Sequence, residues 1–172
     1  MESQYRSAST VECPGCHLKL PNAHLEPNPL HHASGECWAL YGELSAYNFE
    51  RAELSFLAQL AVDAYGAQHV GGSSRPITAA FSLLGMYLVH ERNFTGRQVQ
   101  LAHMKLGQSK FSWPKFEPPD QRKALTVADV MRVEAGVNRD QRIHDWSKSV
   151  WDQWVQYHQW AATFCQENLR WP

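Results

Sequence analysis

The chain contains no run approaching ~18 uninterrupted apolar residues, so nothing in it reads as a membrane-spanning helix. Its opening residues, MESQYRSASTVE, hold no apolar core of the kind a secretory signal needs. An excess of one charge is missing too, with 16 Lys and Arg against 17 Asp and Glu. That small net charge and an apolar content of 44% exclude global disorder. Convincing strand alternation, internal repeats and an identifiable nucleophile are all absent. These absences predict a soluble cytoplasmic protein with no membrane contact. At 172 residues there is room for one domain, whose core can bury roughly 70% of the unfolded surface. Histidine, tryptophan and cysteine, at nine, seven and four residues, are what the sequence does have. They point to a metal site and a heavily aromatic core.

Charge is unevenly spread. Residues 1–63 carry three basic and eight acidic side chains, and residues 64–172 carry thirteen and nine. Six basic residues between Arg97 and Lys123 face two acidic ones. A solvated surface accounts for them; a phosphate-binding patch is the sharper alternative. No base-stacking motif accompanies it, so nucleic acid is disfavoured as a partner.

Residues 1–10 are polar and read as a disordered N-terminus. Residues 11–172 read as a single helical domain whose first part, 11–37, binds zinc. From Val11 to Ser34 no helical or strand period survives among Pro14, Gly15, Pro21, Pro27 and Pro29, so that stretch needs another organiser. A helix begins at Ser34, its cap, with Cys37, Leu40, Tyr41 and Leu44 on one face. Leu57, Leu60, Ala61, Ala64 and Tyr65 mark a second helix, ending near His69 before a glycine loop. Pro76 opens a third, with Ile77, Ala80, Phe81, Leu84 and Leu88 as its stripe. Thr95 and Gln98 form a capping-box pattern for a short helix stopped by Gly107. Residues 108–125, with Trp113, Phe116 and three prolines, read as an irregular aromatic loop; Thr126 and Asp129 then cap a small helix. One long final helix is expected over Asp140–Asn168, as the central element, with Ile143, Trp146, Val150, Trp154, Tyr157, Ala161 and Phe164 buried. The expected fold is all-α, a bundle of five or six helices behind an N-terminal zinc-knuckle segment.

Cys13-Pro-Gly-Cys16 is the most specific motif. Two cysteines two residues apart let one tight turn present both sulfurs to a single ion, with backbone N–H groups free to support the thiolates. A redox dithiol would sit at a helix start after a strand, and no such pattern surrounds this one. Zinc is the expected cofactor. Cys37 offers a third ligand in the first turn of a helix, where the positive helix end favours a thiolate. For the fourth, His31 gives C-x2-C-x14-H-x5-C and is preferred; His32, then His17 or His24, are the alternatives. Four protein ligands would close the site and make it structural.

The segments CPGC, GECWALYGEL, VDAYGAQHVGGSSRP, TVADV and HDWSKSVWDQWVQYHQW resemble an uncharacterised family of short bacterial proteins, one of the "domain of unknown function" families. The likeness runs from about Glu12 to Trp160. It carries over Cys13, Cys16, His31, Cys37, Asp63, His69, Arg75, Trp151 and His158 as motif positions, and implies organisation without a mechanism. One departure is His17, where the family often has glycine to relieve the knuckle with a positive φ.

Asp63, His69 and Arg75 bracket the second helix and the glycine loop, and His144, Trp151, His158 and Cys165 recur every seven residues near the end. At 1.5 Å per residue, His144 and His158 are about 21 Å apart and cannot share an ion. Packing explains most such residues, and Cys165 reads as an inert buried thiol. The functional alternative is a pocket in which Asp63 orients His69 or His158 as a general base and Arg75 holds an anion. Helical bundles also build second, open metal sites from His and Asp on facing helices. Three function classes follow. The first is a zinc-stabilised module that binds a protein, supported by the aromatic loop 111–119. The second is a small hydrolase or transferase using Asp63, His69, Arg75 and His158. The third, a nucleic-acid binder, lacks any recognised module.

Overall fold

A computed structural model describes residues 9–120 and 123–169. Most of the expected N-terminal disorder, residues 1–8, and Arg122 of the basic stretch lie outside the described residues. The protein is mostly all-α, as its periodicities predict. Seven helices are described: α1 (Gly35–Arg51), α2 (Leu57–Gln68), α3 (Pro76–Arg92), α4 (Gly96–Leu106), α5 (Val127–Met131), α6 (Val137–Gln153) and α7 (His158–Asn168). Local chemistry fixes their starts. The Ser34 hydroxyl accepts the Cys37 N–H at 3.2 Å and caps α1. Pro76 stands in the first turn of α3, and Thr95/Gln98 and Thr126/Asp129 close reciprocal capping boxes on α4 and α5.

The central element is α2, which touches α1, α3, α4 and α6, rather than the last helix. Its small residues explain this. Ala61, Ala64, Gly66 and Ala67 are buried around most of its circumference, so neighbours approach from several sides. Trp146, Trp151 and Trp154 then fill the core from α6 and its end, all fully buried.

The single helix expected over 140–168 is broken. Residues Val155–Tyr157 tighten into a 3-10 turn between α6 and α7. The Trp151 carbonyl accepts from the Trp154 N–H at 2.9 Å and from His158 Nε2, also at 2.9 Å. The His158 ring lies flat on the Trp151 indole, centroids 3.8 Å apart. A seven-residue repeat thus becomes a stacked pair that holds a corner.

Two short strands, β1 (Thr10–Glu12) and β2 (Lys19–Pro21), pair antiparallel with Val11 opposite Leu20. Three residues carry too little alternation to be recognised in sequence. The aromatic loop 111–119 packs inward: Phe111 and Trp113 lie 5.0 and 5.2 Å from Phe164, and Phe116 lies 4.9 Å from Trp160, ring to ring. It therefore gives less free aromatic surface than the sequence suggests.

Candidate metal centre

The β1–β2 hairpin turns through Cys13-Pro14-Gly15-Cys16-His17-Leu18. The Cys13 N–H donates to the Leu18 carbonyl at 2.8 Å and the His17 N–H to the Cys13 carbonyl at 2.9 Å. Position 17 does take a positive φ, +60°. His17 tolerates it with its ring against Glu12, Nδ1 to Oε1 at 3.2 Å. Both sulfurs point inward, toward Cys37 in the first turn of α1.

The fourth member of the group is His69, at the C-terminal end of α2. Ligand atoms of Cys13, Cys16, Cys37 and His69 all lie within 4.8 Å of one another, all four residues are buried, and together they could hold a metal ion. Cys16 Sγ is 3.8 Å and His69 Nε2 is 3.5 Å from Cys37 Sγ. Among the described residues the cysteines form no disulfide.

His69 is oriented from behind. Its Nδ1 lies 2.8 Å from the Tyr65 carbonyl, which can only accept, so Nδ1 carries the proton and the Nε2 lone pair faces the thiols. The Tyr65 hydroxyl donates to Cys37 Sγ at 3.7 Å. Approach of the knuckle to α2 requires Gly15. A Cβ there would stand 2.5 Å from the His32 carbonyl oxygen and 2.7 Å from His69 Cδ2.

Three sulfurs this close cannot all ionise unaided. Hydrogen bonds from Cys16 and then Cys37 hold Cys13 well below the usual thiol range. Facing that thiolate, Cys16 is driven far up and Cys37 is pushed up to about 12. A divalent cation would remove the conflict, because it favours all three thiolates at once.

The other predicted residues are placed as follows. The preferred fourth ligand, His31, is not in the group. Its ring stacks on Trp38 at 5.2 Å and meets the Tyr65 edge at 5.3 Å, with Nδ1 buried and unpartnered. The His32 backbone N–H, rather than its ring, serves the site by donating to the His69 carbonyl at 2.9 Å. Asp63 is buried with Gln59 as its partner, and His158 is stacked on Trp151. Arg75 is exposed beside Trp113. No described contact joins Asp63, His69 and His158, and each has its own separate partners. His69 was legible as a motif residue, but no local spacing ties a histidine 32 positions downstream to Cys37.

No curated protein and no solved structure matches the chain. Residues 11–155 match a family described only as of unknown function, DUF5946. That span holds the whole Cys3His group, the glycine loop and all of α6, and the chain belongs to this family.

Proposed function

We propose that Cys13, Cys16, Cys37 and His69 hold one structural zinc ion, and that the protein is a zinc-stapled helical module that works by binding another protein. The carrying observation is a pair of edge lengths. Ligands at the usual zinc distances, ~2.3 Å for sulfur and ~2.0–2.1 Å for nitrogen, stand about 3.8 Å (S to S) and about 3.5 Å (S to N) apart in a tetrahedron. The separations here are 3.8 Å for Cys16–Cys37 and 3.5 Å for Cys37–His69. Three thiolates and one imidazole are also a donor set that soft and borderline ions prefer. Zinc bound there would supply folding energy, since four protein ligands leave no open position for a substrate.

Surface is then what the fold offers other molecules. Phe49 and Leu54, 74% and 94% exposed, border one cleft at the α1–α2 turn that Arg51, Glu53, Arg97 and Asp140 also line, and this mix of apolar and charged surface suits a protein partner. A general base at His69 fits poorly, because its free nitrogen faces the thiols. The test is metal content of purified variants. Wild type should carry about one zinc per chain, His69→Ala should lose it, and His31→Ala should keep it. Zinc retained in His69→Ala but lost in His31→Ala would overturn the ligand set, and a metal-free wild type would overturn the reading.

A further inference from the structure

Asp63, in the middle of α2 and outside the thiol group, is 3% exposed, and its Oδ2 has no hydrogen-bond partner. Oδ1 accepts one bond, from Gln59 Nε2 at 3.0 Å. The same amide nitrogen faces His103 Nδ1 on α4 at 3.5 Å. The second ring nitrogen of His103, Nε2, is likewise buried without a close hydrogen-bond partner, and the Phe81 backbone lies beside the ring. Gly85 on α3 makes the room. A Cβ there would lie 2.0 Å from Asp63 Oδ2 and 3.1 Å from His103 Cε1, so carboxyl and imidazole edge converge on bare backbone. Gln59 and His103, which flank the buried carboxyl, are half-buried.

A carboxyl group taken out of water either takes up a proton or needs an opposite charge or a metal. Among the described contacts of Asp63 there is only the neutral Gln59. A proton would cancel the charge but leave the His103 nitrogen unanswered. A divalent cation answers both needs, and an imidazole beside a carboxylate is a donor pair that first-row transition ions accept. Facing helices of a bundle are where such pairs are built.

We propose that Asp63 and His103, with the Gln59 amide beside them, form a second metal site that takes a divalent transition-metal ion whose remaining positions are filled by water. It differs in kind from the thiol centre. Two protein ligands leave exchangeable positions, so an ion here is open to an incoming ligand where the Cys3His ion is not. The two sites share no residue, and this inference does not depend on the zinc reading.

The probe is Co2+, added to the purified full-length protein in equilibrium dialysis, with zinc and cobalt counted separately by mass spectrometry. Wild type should take up about one Co2+ per chain without losing zinc and without thiolate-to-cobalt charge-transfer absorption. Asp63→Asn and His103→Gln should each weaken that uptake by at least the ~10–100-fold that losing even an outer-shell partner costs, leaving the zinc count unchanged. His103→Gln, at a half-buried position, carries the test if Asp63→Asn fails to fold. The proposal is overturned by no uptake in wild type, by uptake only in exchange for zinc, or by undiminished uptake in His103→Gln. Failure of the thiol-centre reading would show instead as missing zinc.

Discussion

Residues 9–34 bury only Cys13, Cys16, Ala33 and Ser34, whereas the helical body from α1 to α7 buries three complete indoles and a continuous set of aliphatic side chains. The first region is held by discrete polar ties. Its knuckle meets Cys37 and His69, the Ala23 and Leu25 N–H groups donate to Glu36 at 3.0 and 3.3 Å, and the His32 N–H reaches the His69 carbonyl. The second is held by area removed from water, spread over many residues. Discrete ties fail one at a time and completely; distributed packing loses a share with each residue removed.

The largest effect should therefore come from breaking a tie at the thiol centre. Cys13→Ser, or a strong chelator, should abolish metal retention and release residues 9–34 while leaving α6 and α7 formed. The scale is set by structural zinc in small peptides, where binding contributes on the order of 10 kcal/mol to folding. Hydrogen exchange resolved by segment checks this: early loss of protection at 10–21, with retained protection around Trp146, is the expected pattern. Uniform loss across both regions would show that the body depends on the ion as much as the knuckle does.

Next in size is the converse cut, made in the body. Trp154 is fully buried, and Trp154→Ala should cost about 3–5 kcal/mol in denaturant unfolding without changing the metal content. Its indole N–H has no partner, so Trp154→Phe should cost clearly less, because it removes an unsatisfied donor along with part of the ring. Metal loss in Trp154→Ala would break the separation between the two regions.

The same contrast explains what could be read from sequence. Periodicity reports apolar packing, so the presence of α1 to α5 and the burial of Trp146 and Trp154 were legible, as were the caps of α1, α4 and α5 and Pro76 at the start of α3. The cysteines of the knuckle were legible as well, because a two-residue spacing is a local geometric constraint. His69 as a member of the group was not, since α2 must first dock beside the hairpin before residues 13 and 69 meet. His31 has the better spacing, but its ring goes to Trp38 and Tyr65, a packing choice invisible before the aromatic residues are placed. The break at Trp154 was hidden for a similar reason. The apolar stripe continues through it, and only the stack of His158 on Trp151 reveals the corner. The sequence groups Asp63 with His69 and His158, whereas the described contacts place it beside Gln59 and near His103. Its neighbour on α4, His103, lies in no motif, and only the close approach of α3 at Gly85 brings the two together.

The smallest effect sharpens the comparison by asking what a polar residue does in the region that otherwise relies on packing. Burial raises the Asp63 carboxyl well above its ordinary value, opposed only by the Gln59 hydrogen bond. The folded state therefore holds the proton over a wider pH range than the unfolded chain does. From about pH 4 upward the unfolded state gains by ionising, so the contribution of Asp63 to stability falls as pH rises toward its folded pKa. Asn keeps an acceptor for Gln59 and carries no charge to desolvate. In buffer without added divalent cation, Asp63→Asn should be close to neutral at pH 4–5 and increasingly stabilising toward pH 8. Melting temperatures of both proteins across that range measure the difference directly. A difference that stays flat with pH would mean that Asp63 is ionised and paired even without an added ion, and a destabilised variant at every pH would place its carboxylate among the ties that hold the body together.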